Sequence, residues 1–167
     1  MLGIGYVFCG YDKRTAEVEV NDINGVQIKE LAGDKLVEVP RRPMFDSLDE
    51  NDKRIISGIF MKDIPLFEPE KSVLLLTQPL YADGVVDSEA EQIGMFKKMV
   101  DENVTDEKLV VKPHPRDFTD YSSVFPTAVI IDKNMPVEVL SFSLKGEFID
   151  VLTTNSTSKN WINNYNK

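Results

Sequence analysis

From residue 72 onward, short apolar runs alternate with helix-forming stretches at regular spacing, and this alternation constrains the fold more than any other feature of the chain. Residues 72–77 are a nearly continuous apolar run, the pattern of a strand buried on both faces of a parallel sheet. Ser88, with Glu91 three residues on, has capping-box spacing. It predicts a helix to about residue 102, with Ile93, Phe96, Met99 and Val100 facing inward. Further strands are predicted at 109–111, 128–131 and 148–152, with a short helix at 136–144 and a last helix from near Thr157. Strands that alternate with helices build a parallel α/β sheet, here a Rossmann-like domain over residues 70–167. Ligands of such sheets bind beyond the carboxyl ends of the strands. The loops at 78–87, 112–117, 132–136 and 153–157 are therefore the ones to inspect.

Residues 1–69 read differently, as a β-rich amino-terminal segment with a linker helix. Short alternating stretches at 4–8, 15–20, 26–31 and 36–39 are separated by the turn signals Gly10-Tyr11-Asp12 and Asn24-Gly25. Pro40-Arg41-Arg42-Pro43 reads as a loop. Ser47 and Glu50 have capping-box spacing for a helix whose apolar stripe is Ile55, Ile56, Ile59 and Phe60, and Pro65 and Pro69 close the segment.

The 167 residues, 42% hydrophobic and 28% charged, suit one domain of ordinary size. One Rossmann-like core fits in this length and two do not. No run approaches the ~20 apolar residues of a membrane span, and the opening residues lack the basic start of a signal peptide. The single cysteine, Cys9, excludes an internal disulfide, suits a reducing compartment and reads as a small buried apolar residue. These features predict a cytoplasmic protein. The net charge of −9 argues against a nucleic-acid partner. A phosphate ligand would need a local cluster of donors.

One such cluster is Lys112-Pro113-His114-Pro115-Arg116, which carries the chain's only histidine. Two prolines stiffen the backbone around the imidazole, and a cation lies two residues away on each side. This arrangement suits a histidine that donates to a phosphate oxygen at low ordering cost. It equally suits a rigid turn whose histidine caps a carbonyl. A metal site is not expected without a second histidine or a cysteine cluster. Thr153-Thr154-Asn155-Ser156-Thr157-Ser158 stands where a strand gives way to a helix. Free N–H groups and the helix dipole make such a start a phosphate cradle, or the hydroxyls simply cap the helix. Glu138 follows Pro136 at a helix start, where a carboxylate can accept from two ribose hydroxyls or merely complement the helix dipole. Together the three loops suit one nucleotide lying across the sheet edge. Neither a dinucleotide fingerprint nor a Walker loop occurs.

These segments resemble glycosyltransferase family 52. The resemblance rests on Leu74-Leu75-Leu76-Thr77-Gln78-Pro79-Leu80-Tyr81-Ala82-Asp83-Gly84, on residues 112–117, on Pro136-Val137-Glu138 and on Asn155-Ser156-Thr157, and covers roughly residues 36–162. It implies the carboxyl-terminal donor-binding half of a GT-B glycosyltransferase. The family includes lipooligosaccharide sialyltransferases, which implies CMP-sialic acid as donor, a glycan or lipooligosaccharide as acceptor, and no cofactor or metal. His114 would contact the CMP phosphate and assist its departure. Lys112 and Pro115 would line the cytosine pocket through their backbone. Glu138 would bind ribose, and Ser156 and Thr157 would hold the phosphate. Arg116 and Asn155 complete the implied substrate-binding set. Related sialyltransferases take their base from an acidic-acidic-glycine motif. The match here is Ala82-Asp83-Gly84, which implies Asp83 as the base with the first acidic position lost.

A GT-B enzyme has two Rossmann-like domains with the active site between them, so a chain of this length is expected to lack the acceptor half and to be inactive alone. The amino-terminal strands would be a remnant of that half, a cover for the sheet or a contact in a homodimer. The resemblance leaves room for attachment at the inner face of the membrane. Two other readings stay open: a GT-B enzyme with another nucleotide sugar, and a non-catalytic nucleotide-binding or assembly module.

Overall fold

A computed structural model describes residues 15–26, 35–62, 64–154 and 162. The chain divides into two compact units, Met1–Asp49 and Glu50–Lys167. In the first, β1 (Val18–Val20) pairs in parallel with β2 (Leu36–Glu38), Val18 opposite Leu36. Asn24 and Gly25 lie in a 3₁₀ turn capped by the Asp22 carboxylate, which accepts from the Asn24 N–H. The strand expected at 4–8, most of that at 26–31 and Cys9 lie outside the described residues.

Two expectations for this region need correction. Pro40-Arg41-Arg42-Pro43 is not a loop: it opens α1 (Arg41–Asp46), with Pro40 as N-cap. Proline is compatible with a first turn because the N–H groups there have no partner inside the helix. Ser47 does not begin the next helix but closes this one, its hydroxyl donating to the Met44 carbonyl at 2.8 Å. The following helix, α2, starts at Glu50 and runs to Phe60 (Glu50–Phe60). Of its expected stripe, Ile56 packs on the core, whereas Ile55, Ile59 and Phe60 stay exposed.

Among the described residues, the second unit is built on four parallel strands: β3 (Ser72–Leu76), β4 (Lys108–Lys112), β5 (Val129–Ile130) and β6 (Asp150–Thr153). Their order is β5-β4-β3-β6. The first strand of the unit thus lies inside the sheet, and the chain runs outward first to one side and then to the other. This is the Rossmann-like pattern. The order reverses between β3 and β6, and in sheets of this kind ligands bind beyond the carboxyl ends of the strands at such a point.

The apolar run of β3 is buried throughout because both faces are covered. Side chains alternate between faces along a strand. Val73 and Leu75 pack with Phe96, Val100 and Tyr121, and Leu74 and Leu76 pack with Met135, Val139 and Leu140. Each such aliphatic side chain contributes roughly 1.5–3 kcal/mol by burial.

On the first face lie α3 (Glu89–Asn103) and the short α4 (Tyr121–Val124). Ser88 caps α3 as expected, accepting from the Glu91 N–H. Glu91 reaches back to the Asp87 N–H, one residue earlier than a capping box requires. Phe96 and Val100 are buried, Ile93 and Met99 partly so, and Gln92 is buried beside them. Helix α4, absent from the sequence reading, is started by Asp120, which accepts from the Ser122 and Ser123 N–H groups. On the other face α5 (Val137–Ser143) packs with α2, and the hydroxyls of Ser57 and Ser143 meet at 2.6 Å.

The strand expected at 148–152 starts later, at Asp150. Phe148 instead stacks on Phe67, ring centroids 5.9 Å apart. The strand expected at 128–131 shortens to Val129–Ile130. The helix expected from near Thr157 lies outside the described residues except for Ile162, which is helical and buried.

Candidate functional site

Strand β4 delivers His114 to the carboxyl edge of the sheet, and four hydrogen bonds fix the loop that follows. The Thr77 N–H, at the end of β3, donates to the Lys112 carbonyl at 3.3 Å. The His114 N–H donates to Thr77 Oγ1 at 3.3 Å. The Asp117 N–H donates back to the His114 carbonyl at 2.9 Å, closing a tight turn. The Arg116 N–H donates to Nδ1 of His114 at 3.1 Å. Pro115 sits exposed in that turn and, lacking an N–H, offers only its carbonyl to a ligand.

The imidazole geometry has a chemical consequence. A nitrogen that accepts an N–H bond carries no proton, so Nε2 holds the proton of the neutral ring and is its donor. Burial holds the His114 pKa below its usual value, helped by the positive charges of Arg116 and Lys112 and opposed by Asp83 and Asp117. His114 is thus a neutral donor at physiological pH.

Asp117 anchors this loop from below. It is 4% exposed, and its carboxylate accepts from Thr77 Oγ1 and the Tyr121 hydroxyl, each at 2.8 Å. It also accepts from the Thr119 N–H at 3.1 Å and from Gln92 Nε2 at 3.2 Å. Gln92 turns its other end to the Tyr81 N–H, which donates to Oε1 at 2.9 Å. One buried amide therefore ties the loop after β3 to the loop after β4.

A second tie between these loops is an ion pair. Arg116 donates from Nη1 and Nη2 to the two carboxylate oxygens of Asp83, at 2.7 and 3.1 Å. Asp83 is placed by a turn that ends on Gly84, where φ is +69° and glycine is the residue that adopts it without strain. Beside the pair, the exposed rings of Tyr81 and Phe118 wall a cleft of about 300 Å³.

Two lysines join the loops after β4 and β5. Lys112 is 6% exposed and donates from Nζ to the carbonyls of Pro113 and Lys133, at 2.7 and 2.9 Å. Burial pulls its pKa down to about 8, against the pull of the Asp132 and Glu138 carboxylates. Lys133 Nζ donates to the Asp117 carbonyl at 3.1 Å and lies 3.9 Å from the centroid of the Phe118 ring. Glu138 stands in the first turn of α5, half-buried, and its carboxylate has no hydrogen-bond partner among the described residues.

Of the residues singled out in the sequence, Lys112, His114, Pro115, Arg116 and Asp83 are brought together at one sheet edge. Glu138 is near enough to act on the Lys112 charge. Asn155, Ser156 and Thr157 lie outside the described residues. The sequence reading missed Thr77, Gln92, Asp117 and Tyr121 as site residues. A signal existed for two of them: Thr77 is a polar end on an apolar strand, and Gln92 is a polar residue one turn before Phe96 on the inward face of α3. Among the described residues no cluster of three or more His, Cys, Asp or Glu is placed to hold a metal, and no helix is long and apolar enough to cross a membrane.

Residues 3–163 match glycosyltransferase family 52. The chain belongs to that family. A protein of Haemophilus influenzae (strain ATCC 51907 / DSM 11121 / KW20 / Rd), named only as an uncharacterized protein, is 43% identical over 101 residues, covering 60% of this chain and 32% of the relative. The match thus spans about a third of the relative's length. No solved structure matches the chain.

Proposed function

We propose that residues 70–167 bind the donor of a glycosyltransferase reaction, that the donor is CMP-sialic acid, and that the full-length context transfers its sugar to a glycan or lipooligosaccharide acceptor. Family membership supports transfer of a sugar. One observation carries the donor site: the Arg116 N–H caps Nδ1 of His114 and leaves Nε2–H as a fixed donor at the carboxyl edge of a Rossmann-like sheet. In sialyl transfer the bond between the sugar's anomeric carbon and the CMP phosphate oxygen breaks, and the phosphate gains charge. A preorganised donor there stabilises the charge as it develops. Glu138, with an uncommitted carboxylate, is suited to the ribose hydroxyls. Ser156 and Thr157 would supply further phosphate donors, and Asp83 would take the acceptor proton once released from Arg116.

The Asp83–Arg116 pair favours a second reading, in which this chain alone binds nucleotide without transferring sugar. Both carboxylate oxygens of Asp83 already accept from the guanidinium, so Asp83 as placed is not a free base. Calorimetric titration of CMP, CDP, UMP and UDP into the purified chain tests the donor assignment. CMP should bind best, and weakly. Preference for a uridine nucleotide would redirect the donor assignment, and failure of all four to bind would overturn the reading. Release of sialic acid from CMP-sialic acid by the chain would reject the second reading.

A further inference from the structure

We propose that Asp117 and Thr77 are positioning residues, a buried relay of hydrogen bonds that sets the pose of His114 from beneath the loop. The inference deepens the donor-site reading and rests on it for its functional meaning, but the geometry stands apart from any ligand.

The relay is continuous. The His114 N–H donates to Thr77 Oγ1, and the same hydroxyl donates its proton to Asp117 Oδ2 at 2.8 Å. A hydroxyl can do both, since it has one proton and two lone pairs. Asp117 cannot shift to follow a wandering loop. Tyr121 from α4, Gln92 from α3 and the Thr119 N–H hold it from three other directions. These partners come from the packed first face of the sheet, where Tyr121 contacts Phe96 edge to face, centroids 6.1 Å apart. The rigidity of the core is thereby passed to a half-buried histidine on a turn.

The arrangement exceeds what a structural turn requires. The turn closes through the Asp117 N–H and the His114 carbonyl alone. A buried carboxylate is costly to desolvate and is kept where several donors meet it. Here those donors link the strand end that carries Thr77, the helix that carries Gln92 and the loop that carries His114. With His114 so held, Arg116 of the same turn brings its N–H to Nδ1. The charged groups facing the imidazole are Arg116, Lys112, Asp83 and Asp117.

His114 is the chain's only histidine, so its imidazole resonances need no assignment in an NMR titration of the ligand-free protein. Thr77→Val removes the link in the relay without removing a charge. The His114 pKa should then rise above its wild-type value as the imidazole gains solvent, and CMP binding should weaken about fivefold, the effect of one lost hydrogen bond. Thr77→Ser should restore both. Tyr121→Phe deletes a donor to Asp117 that does not lead to His114. It should lower stability and move the His114 titration much less than Thr77→Val does, because Gln92 and the Thr119 N–H still hold Asp117.

Two results would overturn the proposal: an unchanged His114 titration in folded Thr77→Val, or an equal shift in Tyr121→Phe. Amide exchange in the wild type provides an independent reading, because the His114 N–H should be protected and free exchange there would also overturn it. The NMR readouts use no nucleotide. If CMP fails to bind while His114 responds as described, the donor reading falls and the relay stands.

Discussion

The backbone N–H of Arg116 points at Nδ1 of His114, two residues earlier in the same turn, at 3.1 Å. The contact makes a chemical choice, because a ring whose Nδ1 accepts must carry its proton on Nε2. It also joins two effects that act alike. Burial and the neighbouring cations oppose protonation of His114, and protonation of Nδ1 would destroy the contact itself.

The first prediction concerns that ring. Nitrogen NMR of the free protein at neutral pH should show one neutral imidazole with the proton on Nε2. Its midpoint should lie below that of histidine in a short peptide. A midpoint above the peptide value would mean that a carboxylate, not burial and cations, dominates the site.

A second prediction concerns ligand affinity. His114→Ala should weaken CMP binding by about tenfold or more, since a hydrogen bond to a charged group contributes roughly 1.5–3 kcal/mol. Folding should be little affected, because the side chain is only half-buried. Calorimetry on both proteins measures the first effect, and a thermal melt the second. Equal affinities would reduce His114 to a turn residue.

The third prediction separates charge from stability. Arg116 and Asp83 are 64% and 36% exposed in their side chains. An exposed pair contributes about 0–1 kcal/mol, so Arg116→Ala should shift the denaturant midpoint only slightly. The same change removes a cation that lowers the His114 pKa, so that pKa should rise. It also frees the Asp83 carboxylate. If Asp83 is the base, hydrolysis of CMP-sialic acid should increase in this variant rather than fall.

The fold was legible where one local signal sufficed. The apolar run at 72–77 could be satisfied only by burial on both faces, and Ser88 with Glu91 marked the start of α3. Legibility failed where tertiary structure decides. Pro40-Arg41-Arg42-Pro43 has loop composition, yet its second proline falls in a first helical turn, where its missing N–H costs nothing. Strand β5 is two residues long and is defined by pairing with β4, not by its own pattern. The candidate site divides in the same way. His114 stood out by chemistry, as a lone imidazole between prolines and cations. The residues that hold it are polar and ordinary in sequence: Thr77 and Asp117 meet across 40 positions, and Gln92 reaches Asp117 across 25. No local pattern announces such contacts.

The last prediction follows from Lys112, whose ammonium is buried and bonded to two carbonyls. Its folded pKa, about 8, lies below the unfolded value near 10.5. Between these values the unfolded chain binds more protons than the folded one, so stability rises with pH. The Lys112 contribution should therefore be least favourable below about pH 8 and should improve toward about pH 10.5. Tyr121 works in the opposite sense. Burial and the bond to Asp117 raise its pKa above the ordinary value of 10.0, so the folded state retains a proton that the unfolded state loses, and stability falls above that pH. The net expectation is a rise in the urea midpoint from pH 8 to 10, followed by a downturn. Lys112→Met should abolish the rise and leave the downturn, whereas Tyr121→Phe should do the reverse. The Met variant strands the carbonyls of Pro113 and Lys133, at about 1–3 kcal/mol for each that water fails to reach, so its absolute stability is the less informative quantity. The slope with pH is the test. A wild-type midpoint that is flat from pH 8 to 10 would show that the Lys112 ammonium is solvated through the loop rather than buried beneath it.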